Sequence, residues 1–230
     1  MKFLISVLII IGITLFIYSI GPTLFYKITK RNPPKNTNDK NSILLTFDDG
    51  PSKAYTNKLL DLLRTYNIQA TFFVVAKQAE KQPEIIERIV RDGHTLGLHS
   101  LEHKNALIKG YLYTKYDFQE SIRTIKKLGY DVTYYRPPWG HLNLFTLYYI
   151  KKYGLKLVLW NTMVGDWSKN TSVYDIKNRL LNKTKDKSVI CLHDGRGSEG
   201  APIRTIEALY TAIPELIDKG FTFKDIKEFY

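Results

Sequence analysis

The chain has 230 residues, 44% hydrophobic and 24% charged, a balance that suits one folded domain plus an appendage and excludes a disordered polymer. Its net charge of +12 comes without a nucleic-acid recognition motif, which leaves a solvated basic surface or attraction to an anionic envelope, and no nucleic-acid partner. The single cysteine, Cys191, excludes a disulfide framework and a thiolate metal site; it lies in an apolar strand and reads as a buried, inert thiol.

Residues 3–26 are almost entirely apolar, with no charge until Lys27. About 20 such residues span a bilayer, and no small-residue cleavage site follows, so residues 1–26 read as an uncleaved transmembrane signal anchor. Residues 27–41 are polar, contain Pro33 and Pro34, and read as a linker to a domain over 42–230. Only Lys2 precedes the apolar run, whereas Lys27, Lys30, Arg31 and Lys35 follow it. That flank alone biases the domain toward the cytoplasm.

Beyond the linker, strands are predicted at 43–47, 70–75, 95–98, 133–136, 155–160, 188–192 and 221–223. Helices are predicted near 53–66, 83–92, 114–128, 143–153, 173–183 and 204–219. In the last of these, Ile206, Leu209, Tyr210, Ile213, Leu216 and Ile217 recur at three- and four-residue spacing. The alternation predicts a parallel sheet covered by helices, and seven strands favour a closed or nearly closed β/α barrel. Functional side chains in such folds gather at the carboxyl ends of strands, where this sequence repeatedly places polar residues.

The first strand ends in Asp48-Asp49-Gly50-Pro51. Two adjacent carboxylates repel each other unless a metal ion or a cation compensates them. His99 and His103, four residues apart, supply two imidazoles that with Asp49 make a three-ligand catalytic set with an open position. Zinc fits that set best, and cobalt, manganese or nickel suit the same donors. Metal-bound water is the expected nucleophile, and Asp48 the expected base that takes its proton. His193 ends another apolar strand and suits a general acid for a leaving amine, oriented by Asp166 or Asp194. Arg136, fixed before Pro137-Pro138-Trp139-Gly140, suits the cation that keeps Asp48 ionised, and backbone N–H groups after the prolines suit an oxyanion donor.

Taken in order, Thr46–Ser52 (TFDDGPS), His99–His103 (HSLEH), Arg136–Gly140 (RPPWG), Asp166-Trp167 and Leu192-His193-Asp194 resemble the five motifs of polysaccharide deacetylases, carbohydrate esterase family 4, the NodB homology domain. The resemblance covers about residues 42 to 223. It implies a distorted seven-stranded (β/α) barrel, here preceded by one N-terminal transmembrane helix, and metal-dependent removal of N- or O-acetyl groups from sugars. It also implies Asp48 as base, Asp49, His99 and His103 as metal ligands, and Arg136 as the residue that positions the base. Asp166 would tune His193, the acid; Trp139 would help polarise the acetyl carbonyl, and Trp167 and Leu192 would wall the acetyl pocket. Asn161 and Met163 stand where relatives often carry acids, and Lys104 replaces a frequent proline. Gly195–Gly200 reads as a flexible specificity loop, and Trp139, Tyr111 and Tyr113 as candidate sugar contacts.

The function expected is N-deacetylation of a GlcNAc-containing glycan, peptidoglycan or a related envelope polysaccharide, by a monomeric single-pass membrane protein whose domain faces outward. The alternatives are deacetylation of a lipid-linked saccharide, O-acetyl esterase activity, or an inactive sugar-binding protein. The last predicts loss of at least one of Asp48, Asp49, His99, His103 or His193, and all five are present.

Overall fold

The structure, a computed structural model, describes residues 2–29 and 39–230. Strand β1 (Ser42–Asp48) is buried along its whole length, as expected of a strand covered on both faces. It pairs in parallel with β2 (Thr71–Val74) on one side and β7 (Val189–His193) on the other. Strands β3 (Thr95–Leu98), β4 (Tyr134–Tyr135) and β5 (Lys156–Leu157) extend the sheet beyond β2, and β6 (Thr162–Met163) extends it beyond β7. The order is β5-β4-β3-β2-β1-β7-β6, all parallel, with β8 (Thr222–Phe223) added to β1.

The two ends of this sheet, β5 and β6, are consecutive in sequence. Only residues 158–161 separate them, so at ~3.8 Å per Cα step the edges lie within about 19 Å and the sheet must curl. No ladder joins β5 to β6, which makes the barrel a curled, incompletely closed one. The predicted strand at 155–160 is correspondingly short, and β6 was not anticipated from the sequence.

Alternation along the strands separates two cores. Ile43, Leu45, Phe47, Ile190 and Leu192 face the surrounding helices within the larger apolar cluster. Leu44, Phe73, Tyr134, Val158 and Val189 fill the barrel interior. Continuing the inner parity toward the carboxyl ends gives Asp48 on β1, His99 just after β3, Arg136 just after β4 and His193 on β7. The rim of functional side chains is thus the polar top of the same inward row whose lower members are apolar.

The covering helices are α3 (Thr56–Thr65), α4 (Ala76–Lys81), α5 (Pro83–Arg91), α6 (Tyr111–Lys127), α7 (Leu144–Lys152), α8 (Val173–Lys183) and α9 (Ala201–Asp218), with a short α10 (Ile226–Phe229). Helices α4 and α10 are additions to the predicted set. At the N-terminus α1 (Lys2–Leu15) runs through a π segment (Phe16–Ile20) into α2 (Gly21–Thr29), one 28-residue helix long and apolar enough to cross a membrane. It continues past Tyr26, so the predicted linker is helical at 27–29; its residues 30–38 lie outside the described residues.

Candidate active site

Asp49, His99 and His103 bring their ligand atoms within 4.8 Å of one another. Three local distortions converge them. Asp49, Ser100 and His103 all adopt positive φ, 76°, 67° and 58°, so the chain turns sharply at each loop instead of continuing its strand. The loop is held from behind: buried Asp117 on α6 accepts the Leu101 N–H at 2.8 Å, and Ser100 Oγ accepts the His103 N–H at 2.9 Å. Gly195 packs directly on the Asp49 backbone, where a Cβ would fall 2.2 Å from the Asp49 carbonyl oxygen.

These three residues fit a divalent metal. Asp49 Oδ1 lies 3.2 Å from His99 Nε2 and 2.9 Å from His103 Nε2, yet it is buried without hydrogen-bond geometry to any group. Two nitrogens and an oxygen are therefore aimed at a common point and not at each other. His99 Nδ1 sits 2.6 Å from the Arg136 carbonyl, an acceptor that fixes the proton on Nδ1 and leaves Nε2 as a lone-pair donor. Burial lowers the His103 pKa despite the Asp49 charge, favouring the neutral ring a metal needs. Burial alone would raise Asp49, but the adjoining imidazoles outweigh it and hold the carboxyl well below the usual range.

Asp48 points into the same space from the other side. Its Oδ1 accepts from Arg136 Nη1 at 2.7 Å, and its Oδ2 lies 3.9 Å from His99 Nε2. Arg136 is wholly buried; it also donates to Thr46 Oγ1 (2.6 Å) and the Val158 carbonyl (3.1 Å), and its guanidinium lies 4.1 Å over the Phe73 ring. This arginine is a fixed internal cation. A second grouping, Asp48, Cys191 and His193, also has metal-type donors. It is the poorer site, because Asp48 is committed to Arg136 and burial, with Asp48 beside it, pushes the Cys191 thiol far above its usual range.

Beside Asp48 on the neighbouring strand, His193 Nδ1 is 3.0 Å from Asp166 Oδ1, and Asp166 Oδ2 accepts the His193 backbone N–H at 2.8 Å. Thr205 on α9 donates to the same oxygen at 3.1 Å, so a fully buried carboxylate locks the ring. Burial disfavours the charged imidazole, but Asp166, with Asp48 and Asp49 farther off, overcomes it and raises His193 to about 9. Of the two partners considered for His193, Asp166 holds the ring. Asp194 turns away, accepting from Thr56 Oγ1 at 2.5 Å and packing against Gly50, where a Cβ would meet its carboxyl at 2.3 Å. Burial raises Asp194 to about 7.

Asp48, Asp49, His99, His103 and His193 open on one cleft of about 530 Å³, with Arg136 and Asp166 buried behind them. Trp139 lines it with a left-handed backbone (φ 56°) and its ring 4.3 Å from His103. Trp167 also lines it, edge-on to His193, with 5.4 Å between ring centroids. Leu192 departs from the expectation: it is fully buried in the helix-facing core, and Cys191, of the same strand parity as His193, occupies the cleft wall with Leu159. Tyr111 and Tyr113 do not line the cleft, whereas Trp160, Met163, His141 and Arg196 do. Asn161 is structural, accepting the Val189 N–H and donating to the Lys187 carbonyl. In the loop at 195–200, Ser198 N–H donates to Trp167 O, and Arg204 donates to Ser198 Oγ and to the Glu199 carbonyl.

One cleft residue comes from outside the barrel. Lys27, on the N-terminal helix, lines the cleft and donates to the Trp139 carbonyl at 3.2 Å.

A curled parallel barrel with a buried acid–cation pair, an acid–imidazole pair and a three-donor cluster at one rim defines a hydrolase. Residues 35–158 match the polysaccharide deacetylase family, and the chain belongs to it. A peptidoglycan-N-acetylglucosamine deacetylase of Bacillus cereus is 31% identical over 193 residues, spanning 83% of this chain and 89% of the relative. A chitooligosaccharide deacetylase of Sinorhizobium fredii is 30% identical, spanning 86% of this chain and 96% of that one. The crystal structure of a peptidoglycan N-acetylglucosamine deacetylase in complex with 4-naphthalen-1-yl-N-oxidanyl-benzamide superposes with a TM-score of 0.80 at 30% identity, covering 90% of this chain and 96% of that chain.

Proposed function

We propose that this chain is a membrane-anchored, metal-dependent deacetylase that removes N-acetyl groups from a GlcNAc-containing glycan of the cell envelope. Residues 1–26 form the anchor and residues 42–230 the catalytic domain, which faces outward as a monomer. The observation that carries the reading is the arrangement of two differently supported groups, Asp48 on Arg136 and His193 on Asp166, side by side on adjacent strands next to the Asp49–His99–His103 cluster. The relatives named as peptidoglycan and chitooligosaccharide deacetylases support the substrate class.

A divalent ion, zinc by the donor set with cobalt, manganese or nickel as substitutes, supplies Lewis-acid polarisation of the acetyl carbonyl and acidification of water when bound by Asp49, His99 and His103. Asp48 takes the proton of the attacking water, and Arg136, bonded to its Oδ1, holds that carboxylate in place. The Trp139 backbone N–H assists the carbonyl oxygen as charge develops on it. His193 gives its proton to the sugar nitrogen as the C–N bond breaks, so acetate and a free amine leave. Asp166 holds His193 in the tautomer and charge state for that step. A site with so firmly protonated an acid suits amides over O-acetyl esters, because an amine leaves poorly without a proton. Trp139 and Trp167 wall the acetyl pocket, with Cys191 at its floor.

Acetate release by the full-length protein in detergent, on peptidoglycan, chitooligomers and acetylated xylan, tests this reading. Release from the GlcNAc polymers that stops on chelation and returns with zinc is expected. Release from xylan alone, or release insensitive to chelation, overturns it.

A further inference from the structure

The N-terminal helix is more than a tether, because its second half is built into the domain. Thr23 Oγ1 donates to the Leu142 carbonyl (2.9 Å) and accepts the Leu142 N–H (2.8 Å), a reciprocal pair buried from solvent. Tyr18 donates to the Lys109 carbonyl at 2.5 Å and packs edge-on against Phe145, which in turn packs on Tyr111. One turn beyond Thr23, Lys27 becomes a wall of the catalytic cleft. Helix and cleft wall are in direct contact along this side.

The length of the apolar helix then sets the height of the cleft. Residues 3–17 have almost no burial, but these fifteen residues give only about 22 Å of helix at 1.5 Å per residue, against ~30 Å of hydrocarbon. An upright helix entering at Phe3 reaches the far hydrocarbon edge at about residue 22, within the docked segment. The domain surface around that segment is apolar and exposed: Ile108 (79%), Leu112 (78%), Leu144 and Tyr148. These four flank Lys109 and Phe145, the groups that Tyr18 touches. They form a collar continuous with the helix, and Lys27 stands about 7 Å above the hydrocarbon edge, at headgroup height.

We propose that this collar seats in the bilayer interface, so that the cleft opens at the headgroup layer and takes a saccharide tethered to the membrane through a phosphate-bearing lipid. The inference rests on the deacetylase reading above and narrows its substrate. Lys27 and Arg196, both on the cleft wall, supply the cations that face the anionic linkage. A bulk wall polymer, in contrast, would have to reach the cleft past the bilayer surface.

The test uses the full chain in phosphatidylethanolamine–phosphatidylglycerol vesicles. A nitroxide at Leu112→Cys is compared with one at Tyr210→Cys on α9; native Cys191 is buried and does not compete for the label. In parallel, acetate release is measured from diacetylchitobiose on a polyprenyl pyrophosphate, on a neutral polyprenyl linker, and free. We expect the Leu112 label to be shielded from aqueous relaxation agents and the Tyr210 label to be open to them. We also expect about tenfold or greater preference for the tethered saccharides, from their local concentration, and a preference for the charged linker that Lys27→Gln diminishes. Equal aqueous access of the two labels overturns the seating. Equal rates on free and tethered saccharide overturn the substrate assignment. No release from any of the three overturns the deacetylase reading itself, while the label comparison still decides the seating.

Discussion

Arg136 Nη1 lies 2.7 Å from Asp48 Oδ1, and neither side chain is more than 3% exposed. Sealing a carboxylate and a guanidinium together is tolerated because each compensates the other; removing one strands the other in a medium that solvates it poorly. Arg136→Met is therefore expected to cost about 3–5 kcal/mol of stability. Arg136→Lys keeps the charge but loses the bonds to Thr46 and Val158 and retains part of that stability. Denaturant titration of both variants checks the order; equal stability of Arg136→Met and the parent protein contradicts it.

The pH profile should report His193. Its acid form is the working form, and with a pKa pushed up to about 9 the ring is protonated at neutral pH. Activity is expected to fall as pH rises through about 9. Asp166→Asn removes the charge that sustains this shift, so the alkaline limb should move toward the ordinary imidazole value of ~6.5. A limb that stays in place in Asp166→Asn assigns it to another group.

Asp117 touches no ligand, yet it holds the His99–His103 loop through the Leu101 N–H. Asp117→Ala should weaken metal binding about 10- to 100-fold, as loss of outer-shell partners does elsewhere. Isothermal titration with zinc measures this directly, and an unchanged affinity would show that the loop keeps its shape unaided.

Asp194 titrates at about 7 in the folded chain, above the ~3.9 of an unfolded aspartate. The folded state thus holds a proton that the unfolded state releases, and the stability this gives below ~pH 4 is lost as pH rises through about 7. In the metal-free protein Asp194→Asn, which has no such proton to lose, should gain stability relative to the parent between pH 4 and 8. A difference that does not vary with pH removes Asp194 as the source.

Much of this site was readable from the sequence because its chemistry is tied to strand ends. Asp48, His99, Arg136 and His193 each follow an apolar run, and inward parity gathers them on one rim. The same parity puts Leu192, one residue before His193, on the helix-facing side of the sheet and Cys191 on the cleft side. Strand β6 escaped notice because two residues carry no periodic pattern. Asp117 and Lys27 were illegible for another reason. Their roles depend on tertiary docking of α6 and of the N-terminal helix, and no local residue pattern encodes a docking angle. Lys27 read as the start of a linker, whereas the helix continues through it to the cleft.

The division of labour between Asp48 and Asp49 is tested most directly by Asp48→Asn, with zinc binding and acetate release measured on the same full-length preparation. The account predicts one equivalent of zinc bound by Asp49, His99 and His103 and no acetate released from chitooligomers. Release at the parental rate, or loss of zinc binding along with activity, contradicts the assignment of Asp48 as the base that stays off the metal.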